Sequence, residues 1–246
     1  MDFEKVDGFE NLEMAYISNL SGGFISKNNN LFSEIELNDL NRLILKKSVY
    51  GTPIFKLGND GNRIAILSGV HGNELPPQIA SLKLFNELID LDTRNTLFFI
   101  PFAAPKATMT NSRFFNTLDL NRASHIKNSL SNVIIETMLE LNVDFLGDFH
   151  STAFNSNPGF ESVFSSKSPT PESFLIAKYI SIDVNCELLS TDFAGQPYKG
   201  AIEDVSNLNG IPAITCEVLS PFSVVGDGSV ERSLLQMKSF LSYFGI

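Results

Sequence analysis

The amino-acid sequence predicts an α/β fold: a mixed, largely parallel central sheet with helices on both faces. Short apolar segments alternate along the chain with segments whose apolar residues recur at helical spacing, which is typical of strand–helix–strand units. The strand segments are nearly continuous apolar runs, as expected for strands that are buried on both faces of a parallel sheet. A chain of 246 residues with 43% apolar residues is long enough to bury such a sheet.

Four strands and four helices carry this prediction. The apolar runs predict strands over 63–70, 96–101, 143–149 and 211–218. Helical spacing predicts helices over 73–90, 126–141, 171–182 and 230–244. The pair Pro76–Pro77 suits the first turn of a helix, because the N–H groups that proline lacks have no partner within the helix there.

The chain is predicted to form a single domain over residues 1–246. It contains no repeat of fixed period, and no stretch rich in Gly, Ser or Pro is long enough to be an interdomain linker. The Asn-rich residues 28–30 and the largely polar segment 34–41 indicate surface turns. We therefore expect about residues 1–40 to be peripheral to the core.

The charge of the chain excludes two classes of partner. Eighteen basic and 28 acidic residues give a net charge of −10, so that nucleic acid and anionic lipid surfaces would be repelled. The two cysteines provide no disulfide framework, and no secretory signal is visible. No apolar run approaches the roughly 20 residues of a membrane-spanning helix. A cytoplasmic location is therefore expected.

Two of the three histidines follow predicted strands, at the sheet edge where open α/β folds bind their ligands. Glu74 stands three residues after His71, and His150 ends the run Gly-Asp-Phe-His. Two histidines and a glutamate are a common ligand set of catalytic zinc, which leaves the fourth position for water. The spacing H-x-x-E also arises by chance, but its position at a strand end, together with a second strand-end histidine, favours a metal site.

Three further charged residues are candidates for catalysis or binding. Glu217 lies inside an otherwise apolar predicted strand. It is an ordinary edge residue facing water, the partner of a structural arginine, or a general base directed at a metal-bound water. Arg113 and Arg122 lie in the segment 111–122. They are either solvated residues of a surface loop or groups that bind a carboxylate and polarise a carbonyl.

Four segments, taken in order, resemble the zinc carboxypeptidase superfamily and are most similar to its succinylglutamate desuccinylase/aspartoacylase branch. They are Gly-Val-His71-Gly-Asn-Glu74-Leu-Pro, Asp119-Leu-Asn121-Arg122, Asp148-Phe-His150-Ser-Thr and Gly210-Ile-Pro-Ala-Ile-Thr-Cys-Glu217. Each segment alone is a weak signal, whereas four in the family's order are a strong one. The resemblance covers residues 63–218 and implies a zinc carboxypeptidase-like fold.

The resemblance also implies the metal and the chemistry. His71, Glu74 and His150 match the ligands of one zinc ion (Zn2+) per chain. Glu217 matches the glutamate that activates water and later protonates the leaving amine. The implied activity is the zinc-dependent hydrolysis of an amide bond near a free carboxylate, as in N-acyl-amino-acid deacylases.

The substrate contacts are implied in the same way. Asn121 and Arg122 match the pair that holds the free carboxylate of the substrate. Arg113 is similar to the arginine that polarises the scissile carbonyl, although its spacing to Asn121 is one residue longer than expected. Tyr198 aligns poorly with the lid tyrosine of carboxypeptidases, and we assign it no role.

Other functions stay open at this point. Only residues 218–246 follow Glu217, so we expect the β-rich C-terminal region of aspartoacylases to be absent. The more open site that results also suits a metallo-carboxypeptidase or a cell-wall peptide amidase acting on short peptides. A non-catalytic metal-binding scaffold is the alternative from another class, but a scaffold has no need of Glu217. The sequence does not indicate an oligomeric state.

Overall fold

A computed structural model describes residues 1–196 and 198–246 of the chain. Its strands are β1 (Glu4–Lys5), β2 (Leu12–Ser18), β3 (Thr52–Leu57), β4 (Arg63–Ser68), β5 (Thr96–Ile100), β6 (Phe114–Phe115), β7 (Leu118–Asp119), β8 (Phe145–Thr152), β9 (Ser162–Ser166), β10 (Glu187–Thr191) and β11 (Ala213–Leu219). Its α-helices are α1 (Asn29–Phe32), α2 (Asp39–Ser48), α3 (Leu75–Leu88), α4 (Pro105–Met109), α5 (Leu130–Glu140), α6 (Pro171–Asp183), α7 (Ile202–Leu208) and α8 (Ser229–Ser242).

The main sheet has, among the described residues, nine strands in the order β1-β2-β3-β5-β4-β8-β11-β9-β10. Its central strands β5, β4, β8 and β11 are parallel to one another, and these are the four strands that the sequence predicts. Antiparallel pairs join β3 and β9 to this parallel centre. The predicted fold class, a mixed and largely parallel sheet, is confirmed.

Helices cover both faces of the sheet. Along β4, Ile64 and Ile66 belong to one buried cluster, whereas Ala65 and Leu67 belong to the other, because successive side chains of a strand point to opposite faces. The first cluster takes its helical residues mainly from α3, α6 and α8, and the second from α5 and α7. Both faces of the parallel centre are therefore removed from water.

The N-terminal residues form one edge of the sheet and also contribute to its core. Leu12 and Met14 of β2 are buried, and so are Ile25 and Leu31. Asn28 is buried as well: its amide donates to the carbonyl of Thr108 over 2.8 Å, and its side-chain oxygen caps α1. The segment 1–40 is therefore not wholly peripheral, as the sequence predicts it to be. Its apolar residues join the core, and Asn28 is buried because its side chain forms hydrogen bonds.

Two element boundaries differ from the prediction in ways that affect the site. The helix predicted over 126–141 begins only at Leu130, because Asn128 adopts a positive φ of 65° and Ser129 caps the helix. The strand predicted over 143–149 continues to Thr152, so that His150 lies within β8. None of the helices in the described ranges is long and apolar enough to cross a membrane.

Candidate metal centre and active site

The loop after β4 fixes the position of His71. The chain leaves the strand through Gly69, whose φ of +73° is easily adopted only by glycine. Gly72 packs so closely against α4 that a Cβ atom there would lie 2.1 Å from the carbonyl carbon of Ala107. His71 is therefore held between two points where only glycine fits, and its side chain is buried.

Glu74 joins His71 and His150. It occupies the N-cap position of α3, but its carboxylate makes no capping hydrogen bond and faces the histidines instead. Its Oε1 lies 2.7 Å from Nδ1 of His71, and its Oε2 lies 2.8 Å from Nδ1 of His150. The backbone N–H of Ser151 also donates to Oε2 over 3.1 Å. The three side chains that the sequence singles out as metal ligands thus converge on one point.

The donor set fits a divalent metal ion. His71, Glu74 and His150 each offer one ligand atom, and these atoms lie within 4.8 Å of one another. The other ring nitrogens are already engaged: Nε2 of His71 lies 2.9 Å from Asp119, and Nε2 of His150 lies 2.9 Å from Asp148. Both Nδ1 atoms are thereby directed to the centre, the usual arrangement in which an outer carboxylate orients a metal-binding imidazole.

The charges of the cluster stabilise one another. Burial acts to raise the pKa of Glu74, but the nearby His71 and His150 outweigh it and hold that pKa below its usual range. Burial acts to lower the pKa of His150, but Asp148 and Glu74 raise it well above its usual value. An anionic carboxylate between two imidazoles is therefore the favoured state of the cluster.

Glu217 lies next to this cluster in β11, where it is paired in register with His150 of β8. Its Oε2 is buried without a hydrogen-bond partner among the described residues. Burial, and then the negative charge of Glu74, raise its pKa to about 8, although His150 and Arg113 act in the opposite direction. A carboxyl with such a pKa can both accept and donate a proton near neutral pH.

A cavity of about 330 Å³, which we call the main cavity, opens beside these residues. His71, Glu74 and Glu217 line it, together with Arg122 and Asn121. The main cavity therefore brings the candidate metal ligands, the candidate base and the candidate carboxylate-binding pair to one volume. Its size matches that of small-molecule sites.

Both arginines line this cavity, but they have different partners. Arg113 donates to Asp119 over 3.0 Å and approaches Glu74 at 3.4 Å, so its guanidinium adjoins the metal cluster. Arg122 is exposed, and its guanidinium carbon lies 5.2 Å from the ring centre of Tyr198. Arg122 donates from Nη1 to the backbone carbonyl of Asn121 over 2.5 Å, and a guanidinium has further N–H donors with which to bind a substrate anion. Arg113, in contrast, is anchored by two carboxylates.

Asn121 has a structural contact that the sequence did not indicate. Its side-chain oxygen accepts a hydrogen bond of 3.0 Å from the backbone N–H of Ile202 and so fixes the start of α7. Its own backbone N–H donates to Asp119 over 3.0 Å. Asn121 therefore ties the loop of Arg122 to the helix that forms another wall of the cavity.

Two residues at the centre were not assigned a role from the sequence. Asp148 accepts a hydrogen bond from His150, and Asp119 accepts one from His71. Both aspartates stand in the segments that carry the family resemblance, but the sequence alone assigned them no role. Asp148 precedes His150 by two residues on one strand, and residues at this spacing share a face of the sheet. That spacing is the signal by which the sequence could have indicated a contact between Asp148 and His150. Asp119, 48 residues from His71, offered none without the fold.

Comparison with known proteins decides the family. The model of the succinylglutamate desuccinylase/aspartoacylase catalytic domain matches residues 60–218, well over half of the chain. The chain belongs to this family. The matched range includes every residue that the sequence singles out for the site, from His71 to Glu217, and the resemblance inferred from four segments is confirmed. The family is named for hydrolases that remove acyl groups.

Solved structures place the desuccinylase/aspartoacylase family within a wider fold. The succinylglutamate desuccinylase/aspartoacylase from Rhodobacter sphaeroides is 17% identical, with a TM-score of 0.58 over 81% of this chain and 61% of that one. A succinylglutamate desuccinylase from Silicibacter sp. is 18% identical, with a TM-score of 0.62 over 81% and 63% of the two chains. Bovine thrombin-activatable fibrinolysis inhibitor is 10% identical, with a TM-score of 0.66 over 95% and 90%. At these sequence identities, the similarity shows that the chains share a fold.

The chain spans less than two thirds of the length of the two desuccinylase/aspartoacylase structures. Among curated proteins, none matches it.

Proposed function

We propose that the chain is a zinc-dependent hydrolase that cleaves an amide bond next to a free carboxylate, and that its substrates are N-acyl amino acids. The observation that carries the proposal is the convergence of His71, Glu74 and His150 beside Glu217, at a cavity that Arg122 also lines. Membership of the desuccinylase/aspartoacylase family supports the same activity.

The metal that we propose is zinc, held by His71, Glu74 and His150. Two imidazoles and one carboxylate are a ligand set of catalytic zinc, and Asp119 and Asp148 fix the orientation of both imidazoles. When bound, zinc polarises a carbonyl and lowers the pKa of a coordinated water to about 7.

We assign the proton transfers to Glu217. Its carboxylate accepts a proton from the attacking water, whose oxygen forms a bond to the carbonyl carbon of the substrate. When the C–N bond breaks, Glu217 returns that proton to the leaving nitrogen, so that a carboxylic acid and an amine are released. The raised pKa of Glu217 suits both directions of transfer.

Arg122 and Asn121 are proposed to hold the substrate carboxylate. The exposed guanidinium of Arg122 lines the cavity and can make a forked contact with a carboxylate. Arg113 lies on the metal side of the same cavity, where its positive charge faces the carbonyl oxygen as negative charge develops on it.

A substrate panel with metal analysis tests this proposal. The purified protein is loaded with zinc, its zinc content is measured, and hydrolysis is followed for N-acyl amino acids, short peptides and cell-wall peptides. We expect about one zinc per chain and the highest kcat/KM for an N-acyl amino acid. A peptide as best substrate would make the protein a carboxypeptidase or peptide amidase, and no hydrolysis at full zinc occupancy would make it a metal-binding scaffold.

A further inference from the structure

Two adjacent acidic residues, Glu203 and Asp204, are buried in the first turn of α7, outside the residues that the mechanism uses. They are 5% and 2% exposed. Glu203 accepts one hydrogen bond of 2.6 Å from the amide of Asn207. Oδ2 of Asp204 has no hydrogen-bond partner among the described residues. Burial, the negative charge of Asp204 and a hydrogen bond with its carboxyl raise the pKa of Glu203 well above its usual range. Buried carboxyls are normally paired with a cation, so what this pair lacks is a counter-ion.

The pair lies between two cavities. Glu203 lines the main cavity, and both acids line a second one of about 300 Å³, which we call the side cavity. Phe164 and Tyr198 form walls of both cavities, and their rings meet edge to face with centres 5.2 Å apart. The two cavities are therefore neighbours, and the acids lie at their common wall.

No cation among the described residues is paired with these two acids. In the described ranges, neither carboxyl forms an ion pair with a lysine, arginine or histidine, although other buried carboxylates such as Glu74 do. The hydroxyl of Ser165, a further lining residue of the side cavity, is buried and also lacks a partner. Two acids without a counter-ion therefore line a cavity with aromatic walls, an arrangement that matches a cation carried on an apolar stem.

We propose that Glu203 and Asp204 bind a positively charged group of the substrate, an ammonium or guanidinium at the end of an alkyl chain. The inference deepens the proposed function and rests on it, because the substrate is then an N-acyl amino acid with a basic side chain. Arg122 holds its carboxylate, and the stem of the side chain passes Phe164 and Tyr198 to reach the acids. The net charge of −10 also attracts a cationic group more than an anionic one.

The first test compares substrates that differ in this charge. Nα-acetyl-L-lysine and N-acetyl-L-norleucine have side chains of similar length, and only the side chain of the lysine derivative carries an ammonium. With the zinc-loaded protein we expect kcat/KM to be roughly 10–150-fold higher for the lysine derivative, the range of a hydrogen bond to a charged group. N-acetyl-L-arginine tells whether a guanidinium is preferred. Equal or higher kcat/KM for norleucine than for both cations overturns the proposal.

Variants connect the preference to the two acids. Glu203→Gln keeps an oxygen for Asn207, and Asp204→Asn is similarly conservative, so both are expected to fold. Each should lower the lysine-to-norleucine ratio several-fold, and the double variant should bring it close to one. Glu172→Gln is the control, because Glu172 also lies in the first turn of a helix but is exposed. An unchanged ratio in the double variant overturns the proposal.

A binding measurement separates this inference from the proposed activity. Calorimetry with free L-lysine and free L-norleucine needs no turnover, and we expect tighter binding of lysine to the wild-type protein but not to the double variant. If no N-acyl amino acid is hydrolysed while this difference persists, the proposed function fails and the cation site stands. If hydrolysis occurs but lysine and norleucine bind equally, the cation site fails alone.

Discussion

Replacing Glu217 by glutamine is expected to change how the stability of the metal-free protein depends on pH. Burial, and then the charge of Glu74, raise the pKa of Glu217 from its ordinary 4.5 to about 8. The folded protein therefore keeps this carboxyl protonated between these two values, whereas the unfolded chain ionises it. Glutamine is neutral at every pH and has the same shape.

The sign and size of the effect follow from proton linkage. Between pH 4.5 and 8 the folded state binds one more proton than the unfolded state, so the free energy of unfolding falls as pH rises. One pKa unit corresponds to about 1.36 kcal/mol, which makes the full loss from this residue about 4–5 kcal/mol. Glu217 is only half-buried as a residue, so solvent screens part of this cost and we expect about 2–4 kcal/mol between pH 5 and 9.

Urea unfolding measures this difference. Chelator-treated wild type and Glu217→Gln are unfolded in urea at pH 5 and at pH 9. The free energy of unfolding of the variant, relative to that of wild type, should be about 2–4 kcal/mol higher at pH 9 than at pH 5. The exposed Glu172→Gln is the control and should follow wild type. If wild type and Glu217→Gln lose stability in parallel, Glu217 is not a buried, protonated acid and the reasoning is refuted.

Four further predictions concern the zinc-loaded protein. His150→Ala should lose most of its zinc by metal analysis; full occupancy would contradict the ligand set. Glu217→Gln should keep its zinc while turnover falls by about 10²–10⁴-fold, and near-normal turnover would place the base elsewhere. Asp148→Asn should weaken zinc binding by about 10–100-fold in chelator competition, unlike the exposed control Asp183→Asn. Wild type should prefer a free-acid substrate over its amide by about 10–150-fold, a preference that Arg122→Ala removes and Arg122→Lys partly keeps.

The parts of the fold that the sequence predicts are those buried on both faces. The four central strands are continuous apolar runs, so a charged residue such as Glu217 stands out within them. The outer strands do not show such runs. β10 is partly exposed along its length, and β2 mixes buried residues with half-buried ones such as Glu13. Their strand character depends on neighbours that are distant in sequence.

The site was predictable where its chemistry is local and hidden where it depends on packing. His71 and Glu74 are three residues apart, and His150 follows an apolar run, so both signals can be read in the chain. The buried acids of α7 could not be found, because the segment 202–208 is rich in polar residues that normally face water. Asn207 is fully buried there through hydrogen bonds to Glu203 and Ala213, which only the tertiary structure reveals.

The separation of the site residues along the chain has a consequence for folding. Glu74 and His150 are 76 residues apart, and they meet only because β4 and β8 are neighbours in a parallel sheet. Parallel pairing closes long loops and is intrinsically slow, so the unfolded chain contains the local pair of His71 and Glu74 but no complete ligand set. A metal ion that needs all three ligands would therefore bind after the sheet has assembled, and it would slow the unfolding of the finished protein rather than nucleate its folding.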